Sequence, residues 1–176
     1  GTGLVQLAKR RGATVFGTCG SAEKAELLRE LGVDHPILYK SQDFARVVRE
    51  HVGDRGVDVV FDSIGGSTTR ASYRLLGPGG RLVCFGAASQ SGETKSLWRT
   101  VKMALTFPFT HPIPLMMGSK AVIGVNMLRI ADGRPAVLAD VLREVVALAA
   151  SGELRVIVGG AFPVEQLAAA HELLGS

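Results

Sequence analysis

The sequence has few of the groups that build disulfide frameworks, metal sites and covalent nucleophiles. It holds two cysteines, Cys19 and Cys84, which form no Cys-x-x-Cys pair. Two buried free thiols in a reducing compartment are expected rather than a disulfide. The four histidines, His35, His51, His111 and His171, are scattered, with none at the spacing of a metal-binding pair. No Gly-x-Ser-x-Gly elbow occurs, which removes the serine-hydrolase reading. The longest basic run is Lys9-Arg10-Arg11, too short to favour a nucleic-acid surface. A membrane-spanning helix needs about 20 apolar residues. The most apolar stretch, Met103 to Met117, is broken by Pro108, Pro112 and Pro114 and is not read as a span. The opening Gly1-Thr2-Gly3 does not resemble a charged and then apolar leader, so a cytoplasmic protein is expected.

What is present is a globular composition. Hydrophobic residues make up 47% and charged residues 20%, enough apolar material for a core and too little charge for a disordered chain. The length, 176 residues, suits one domain or one and a fraction. The 22 glycines point to many tight turns and close backbone approaches. A net charge of +4 suits an anionic small ligand.

Apolar periodicity alternates between helix and strand. Leu4, Val5, Leu7 and Ala8 form one face of a helix that closes at Gly12. Ala13 to Cys19 reads as a buried strand. Ser21 has the position of an N-cap for a helix running to Gly32. Ile37 to Tyr39 reads as a short strand, and Ser41-Gln42-Asp43 caps a helix whose core face is Phe44, Val47, Val48 and Val52. Val57 to Phe61 is a strand ending in Asp62-Ser63-Ile64-Gly65-Gly66, and a helix follows from about Thr68 to Leu76. The Gly77-Pro78-Gly79-Gly80 turn leads into strand Arg81 to Phe85. After a longer irregular stretch come strand Ala121 to Val125, helix Pro135 to Ala150, strand Val156 to Val158 and helix Val164 to Leu174. Strands separated by helices of this length imply an α/β fold with a doubly wound parallel sheet. Such sheets bind ligands at the carboxyl ends of their strands. Here those ends are rich in glycine and small polar residues: 17–21, Tyr39, 62–65, 85–89 and 124–126.

Two features carry chemistry. Gly1-Thr2-Gly3 opens straight into a helix, whose free N–H groups and dipole suit a pyrophosphate. NAD-selective sites place an acid at the end of the second strand to hold the ribose 2′-hydroxyl. Thr18-Cys19-Gly20-Ser21 offers none before Glu23, which permits NADPH, with Ser21 and Lys24 suited to its 2′-phosphate. From spacing alone, Ser21 reads equally as a plain helix cap and Lys24 as a solvated surface charge. Asp62 reads as a ligand for nearby backbone N–H groups rather than a catalytic acid.

Gln6-Leu7-Ala8-Lys9, Glu23-Lys24-Ala25-Glu26-Leu27 and Leu31-Gly32-Val33-Asp34 resemble the medium-chain dehydrogenase/reductase superfamily. Val60-Phe61-Asp62-Ser63-Ile64-Gly65, Gly79-Gly80-Arg81-Leu82-Val83 and Phe85-Gly86 match later motifs of its zinc-free quinone oxidoreductase branch in the same order. Ala150-Ser151-Gly152 and Ala168-Ala169-Ala170-His171-Glu172 match the segment that returns to the catalytic domain. The segment from Trp98 to Gly133 resembles the vesicle amine transport protein homologues within that branch. The resemblance implies a Rossmann-type sheet over residues 1–127 that lacks its first strand, and a segment over 128–176 that leads toward an absent GroES-like catalytic domain. It also implies hydride transfer from NADPH to a quinone or an activated alkene or carbonyl, and a homodimer through the edge strand Ala121 to Val125. Gly1 would be the last glycine of the phosphate loop. Lys24 and Tyr39 would bind the 2′-phosphate end, with Ser63 and Ile64 beside the adenosine or ribose. Phe85, Gly86 and Ser89 would line the nicotinamide side, with Val125 near the carboxamide. Two lone cysteines do not make the four-cysteine zinc site of the zinc-dependent relatives.

Two other classes compete. Leu75 to Val83 also resembles a methyltransferase segment, but those enzymes place an acid at the end of the second strand, and residues 18–21 supply none. A non-catalytic NADPH-binding module fits the same residues, and NADPH oxidation by a parent protein separates it from an enzyme.

Overall fold

The computed structural model describes residues 1–86 and 112–175. Helix and strand alternate as α1 (Thr2–Arg10), β1 (Phe16–Cys19), α2 (Ala22–Glu30), β2 (His35–Leu38), α3 (Phe44–Val52), β3 (Val57–Asp62), α4 (Ser67–Leu75) and β4 (Leu76–Cys84). Then come α5 (Pro112–Gly118), β5 (Ala121–Gly124), α6 (Met127–Gly133), α7 (Pro135–Ala150) and α8 (Leu167–Gly175), with 3-10 turns at Gly53–Arg55 and Val164–Gln166. All strand pairs are parallel, as the alternation of strand and helix requires.

Helix starts are fixed by side chains that accept orphan N–H groups. Ser21 Oγ accepts from Lys24 N at 3.2 Å, and Asp43 Oδ1 accepts from Ala45 N and Arg46 N at 2.9 and 3.2 Å. Asn126 does the same for Arg129 N at 3.2 Å, starting α6, a helix that periodicity alone did not indicate.

Among the described residues the strands form two sheets, β1-β2 and β3-β4-β5, instead of the single sheet expected. In the doubly wound order 3-2-1-4-5-6, two and three strands are what lies on either side of the first position, so the split falls where a first strand would pair. α3 and α4 join the two sheets. Ile37 of β2, Val48 of α3 and Leu75 of α4 form one buried cluster, with Phe16 of β1 and Val57 of β3 packed against it. Ile37 and Leu82 are 1% and 0% exposed, and burial of such side chains contributes about 1.5–3 kcal/mol each. A second cluster, Val5, Leu31 and Val33, seats α1 against α2 and the start of β2.

Three further expectations are corrected. Gly77-Pro78-Gly79-Gly80 does not precede the strand but lies inside β4: Val57 pairs with Leu76 and Val59 with Arg81, so the turn loops out of the ladder between them. Gly56 and Gly77 allow the two backbones to cross there, because a β-carbon on either would collide with backbone of the other segment. Residues 156–158 form no strand. The preceding Arg155 has its backbone taken by a side chain instead: Gln6 Nε2 donates to Arg155 O at 3.0 Å, and Arg155 N donates to Gln6 Oε1 at 2.7 Å. The expected strand Ala13 to Cys19 begins only at Phe16. Val15 N–H is drawn off to Asp34 Oδ2 at 2.8 Å.

Candidate functional site

The first group of expected residues gathers at the carboxyl end of β1. Tyr39 N donates to Cys19 O at 3.2 Å, which carries the parallel ladder one residue past β2 and brings Tyr39 beside Gly20. The phenol lies over that glycine: a β-carbon at Gly20 would stand 2.8 Å from Tyr39 Oη. Cys19 is buried, its thiol directed at Ser21 O and Ile37 O at 3.7 and 3.8 Å, which fixes the turn from strand to helix. Ser21 caps α2, and Lys24 follows in its first turn with its side chain exposed. Tyr39 is 54% exposed, so its ring covers the edge and does not serve the core. No carboxylate occupies residues 18–21. The arrangement presents a hydroxyl, a phenol, an ammonium and the N-terminus of a helix, with Glu23 the one carboxylate in the first turn of α2, and suits an anion.

The second group lies at the carboxyl edge of the other sheet. Phe85 N donates to Asp62 O at 3.0 Å and Val125 N to Cys84 O at 2.8 Å, so the ladder bonds bring the ends of β3, β4 and β5 level. Asp62 is buried at 4% exposure and fully engaged. Its Oδ1 accepts from Ile64 N at 2.8 Å and Gly65 N at 3.2 Å, and its Oδ2 accepts from Thr69 Oγ1 at 2.5 Å. This carboxylate shapes the loop that presents Ser63 and Ile64, in agreement with its reading as a backbone ligand. Thr69 was not singled out from the sequence, where a threonine seven residues past an aspartate carries no visible signal. Gly86 passes close to that loop: a β-carbon there would lie 2.8 Å from Ser63 O and 3.2 Å from Ser63 Cα. Ile64 and Phe85 are 40% and 41% exposed, two apolar side chains available to a planar ligand. Cys84 sits opposite Asp62 in the ladder, and burial first, then the Asp62 charge, pushes its thiol up.

Gly1 stands apart as the N-cap of α1, accepting from Val5 N at 3.1 Å. No hydrogen bond among the described residues connects Gly1, the Ser21–Tyr39 group and the Ser63–Phe85 group to one another. Ser89 lies outside the described residues.

Over residues 1–151 the chain matches the family described as zinc-binding dehydrogenase. It is 36% identical over 172 residues to a 2-haloacrylate reductase of Burkholderia sp, covering 98% of this chain and 47% of that protein. It is 33% identical over 169 residues to the synaptic vesicle membrane protein VAT-1 homolog of Danio rerio, covering 95% of this chain and 34% of the relative. Among solved structures, Escherichia coli quinone oxidoreductase complexed with NADPH superposes with a TM-score of 0.71 at 29% identity, over 99% of this chain and 49% of that one. The chain thus spans between about a third and a half of these relatives. The family description speaks of zinc, but among the described residues no three His, Cys, Asp or Glu side chains gather as a metal site. Those residues do not fit a zinc ion, and no chemistry is routed through one. Nor is any helix among the described residues long and apolar enough to cross a membrane. The match over residues 1–151 makes this chain a member of the zinc-binding dehydrogenase family.

Proposed function

We propose that this chain is the NADPH-binding part of a reductase that acts on a quinone or an activated alkene or carbonyl. The observation that supports the reading is the carboxyl end of β1, where Tyr39 packs over Gly20, Ser21 caps α2 with Lys24 in its first turn, and no carboxylate stands among residues 18–21. A carboxylate there would repel a 2′-phosphate, whereas this group attracts one. Gly20 and Gly86 let Tyr39 and the Ser63 backbone come close to the two strand ends, where a β-carbon would meet them at 2.8 Å.

Lys24 and Tyr39 hold the 2′-phosphate. Gly1, at the start of α1, offers free N–H groups and the positive end of the helix dipole to the pyrophosphate. Ser63 and Ile64 flank the adenosine or ribose. Phe85, Gly86 and Ser89 line the nicotinamide side, with Val125 near its carboxamide. When bound, NADPH supplies the hydride that the quinone or alkene accepts. These residues position the reacting partners, and proximity supplies much of the rate.

Residues 1–127 form the dinucleotide-binding unit in this reading, and 128–176 lead toward a further body. Exposed Val141, Leu142 and Val146 on α7, and Val156 and Val158 beyond it, support such a covering surface. β5, at the end of the strand order β3-β4-β5, pairs on one side only among the described residues, an edge that supports a homodimer. Free Cys19 and Cys84 support a reducing, cytoplasmic setting.

The test is titration calorimetry with NADPH and NADH on the chain and its Lys24→Ala variant, followed by NADPH oxidation with a quinone and with a 2-haloacrylate. Tighter binding of NADPH, lost in the variant, supports the reading. Equal binding of the two nucleotides overturns it. Selective binding without oxidation points to a binding module.

A further inference from the structure

We propose that Lys40 is a second phosphate-binding ammonium of this site and sets its preference for a 2′-phosphorylated dinucleotide. The inference rests on the NADPH reading and adds a residue that reading did not contain. The geometry comes from the turn after β2. Ser41 N and Gln42 N both donate to Leu38 O, at 3.0 and 2.9 Å, and Gln42 Oε1 accepts from Leu38 N at 2.8 Å. Consecutive side chains on a strand point to opposite faces. The turn removes that constraint, and Tyr39 and Lys40 both fold back over Gly20. A β-carbon at Gly20 would lie 2.8 Å from Tyr39 Oη and 3.6 Å from Lys40 Cε.

Charge counting favours a second cation. A phosphate monoester carries about −1.5 to −2 charges at pH 7, which one lysine does not match and two do. Lys24 stands in the first turn of α2 and Lys40 in the turn after β2, both exposed. Among the described residues neither forms an ion pair with a carboxylate. Both ammonium groups are therefore available to a ligand at the end of β1.

The experiment measures dissociation constants of NADPH and NADH for the chain and for its Lys40→Gln, Lys40→Arg and Lys24→Gln variants, at low and moderate salt. Lys40→Gln is expected to weaken NADPH about tenfold and leave NADH within about twofold, with a shallower salt dependence for NADPH. Lys40→Arg keeps the charge and is expected to stay within about threefold of wild type. Suppose wild type prefers NADPH, Lys24→Gln removes the preference, and Lys40→Gln leaves it intact or weakens both nucleotides equally. The Lys40 assignment then falls while the NADPH reading stands. Suppose instead that wild type binds both nucleotides alike and Lys24→Gln changes nothing. The 2′-phosphate reading then fails, and the Lys40 assignment with it. Unchanged melting temperatures of the lysine variants, expected for exposed side chains, separate binding from folding.

Discussion

The Lys9 ammonium closes on Asp34, 2.8 Å from Oδ2 and 3.0 Å from Oδ1, and also donates to Ala13 O at 3.1 Å. Asp34 accepts Val15 N at 2.8 Å as well, so one carboxylate ties the end of α1 to the approaches of β1 and β2. The Lys9 hydrogen bond, then that of Val15, holds the Asp34 carboxyl below its ordinary value of 3.8. A depressed folded-state pKa means that the tie stabilises the fold above the unfolded value and is lost as pH falls through the folded one. The two side chains are 30% and 37% exposed, so water screens the pair. Asp34→Asn is expected to cost about 0.5–1 kcal/mol at pH 7. Urea denaturation of both proteins checks this: the gap should hold at pH 7 and narrow below about pH 4. A gap that does not change with pH would remove the charge from the explanation.

Gly20 separates binding from stability. Its missing β-carbon leaves space for the Tyr39 hydroxyl, the free end of a side chain that can swing aside. Gly20→Ala is therefore expected to change the melting temperature by no more than about 2 °C, under about 0.5 kcal/mol. The same change moves Tyr39 off the end of β1, and NADPH is expected to bind about tenfold more weakly, with NADH much less affected. Calorimetric titration beside a thermal melt reads both. Weakened binding of both nucleotides to the same degree would argue that Tyr39 does not face the 2′-phosphate.

Helices and strands were legible because capping residues and apolar periodicity are local. Ser21 and Asp43 announce their caps, and Pro135 to Ala150 is a helix with the expected bounds. The division into two sheets was not legible, since pairing depends on which strands are neighbours in space. The Gly77-Pro78-Gly79-Gly80 loop within β4 was missed for a related reason: a turn signature does not reveal that the ladder resumes on its far side. Lys9 and Asp34 were both visible as motif residues, yet 25 positions of separation hid that they are partners. Lys40 was invisible because its place over Gly20 depends on the Gln42 side chain bending the chain after β2.

Asp62 is a structural carboxylate on this geometry, and Thr69 is the handle by which to test it. The Thr69 hydroxyl is buried against Oδ2, and the other oxygen holds the Ile64 and Gly65 N–H groups. Hydrogen bonds to charged groups contribute about 1.5–3 kcal/mol, so Thr69→Val is expected to destabilise the fold by about 2 kcal/mol. In the parent protein of the proposed reading, NADPH oxidation per folded molecule should change less than about threefold. A hundredfold loss at unchanged stability would place Asp62 in the proposed chemistry.

Cys84 provides a reporter inside the same edge. Burial is the larger cause of its raised thiol pKa, and the Asp62 charge opposite it adds to the effect. The thiolate is the reactive form, so a raised pKa makes the folded thiol slow. In a Cys19→Ser background, alkylation by iodoacetamide at pH 8 is expected to be at least about tenfold slower in the folded than in the denatured chain. The pH midpoint of the rate should lie above the ordinary value of 9.0. Asp62→Asn should lower that midpoint only part of the way, because burial persists when the charge is gone. A midpoint that drops fully to the denatured value in Asp62→Asn would make the carboxylate, and not burial, the dominant cause. A folded midpoint already at or below the denatured one would mean that Cys84 is more accessible to water than its place at the end of β4 requires.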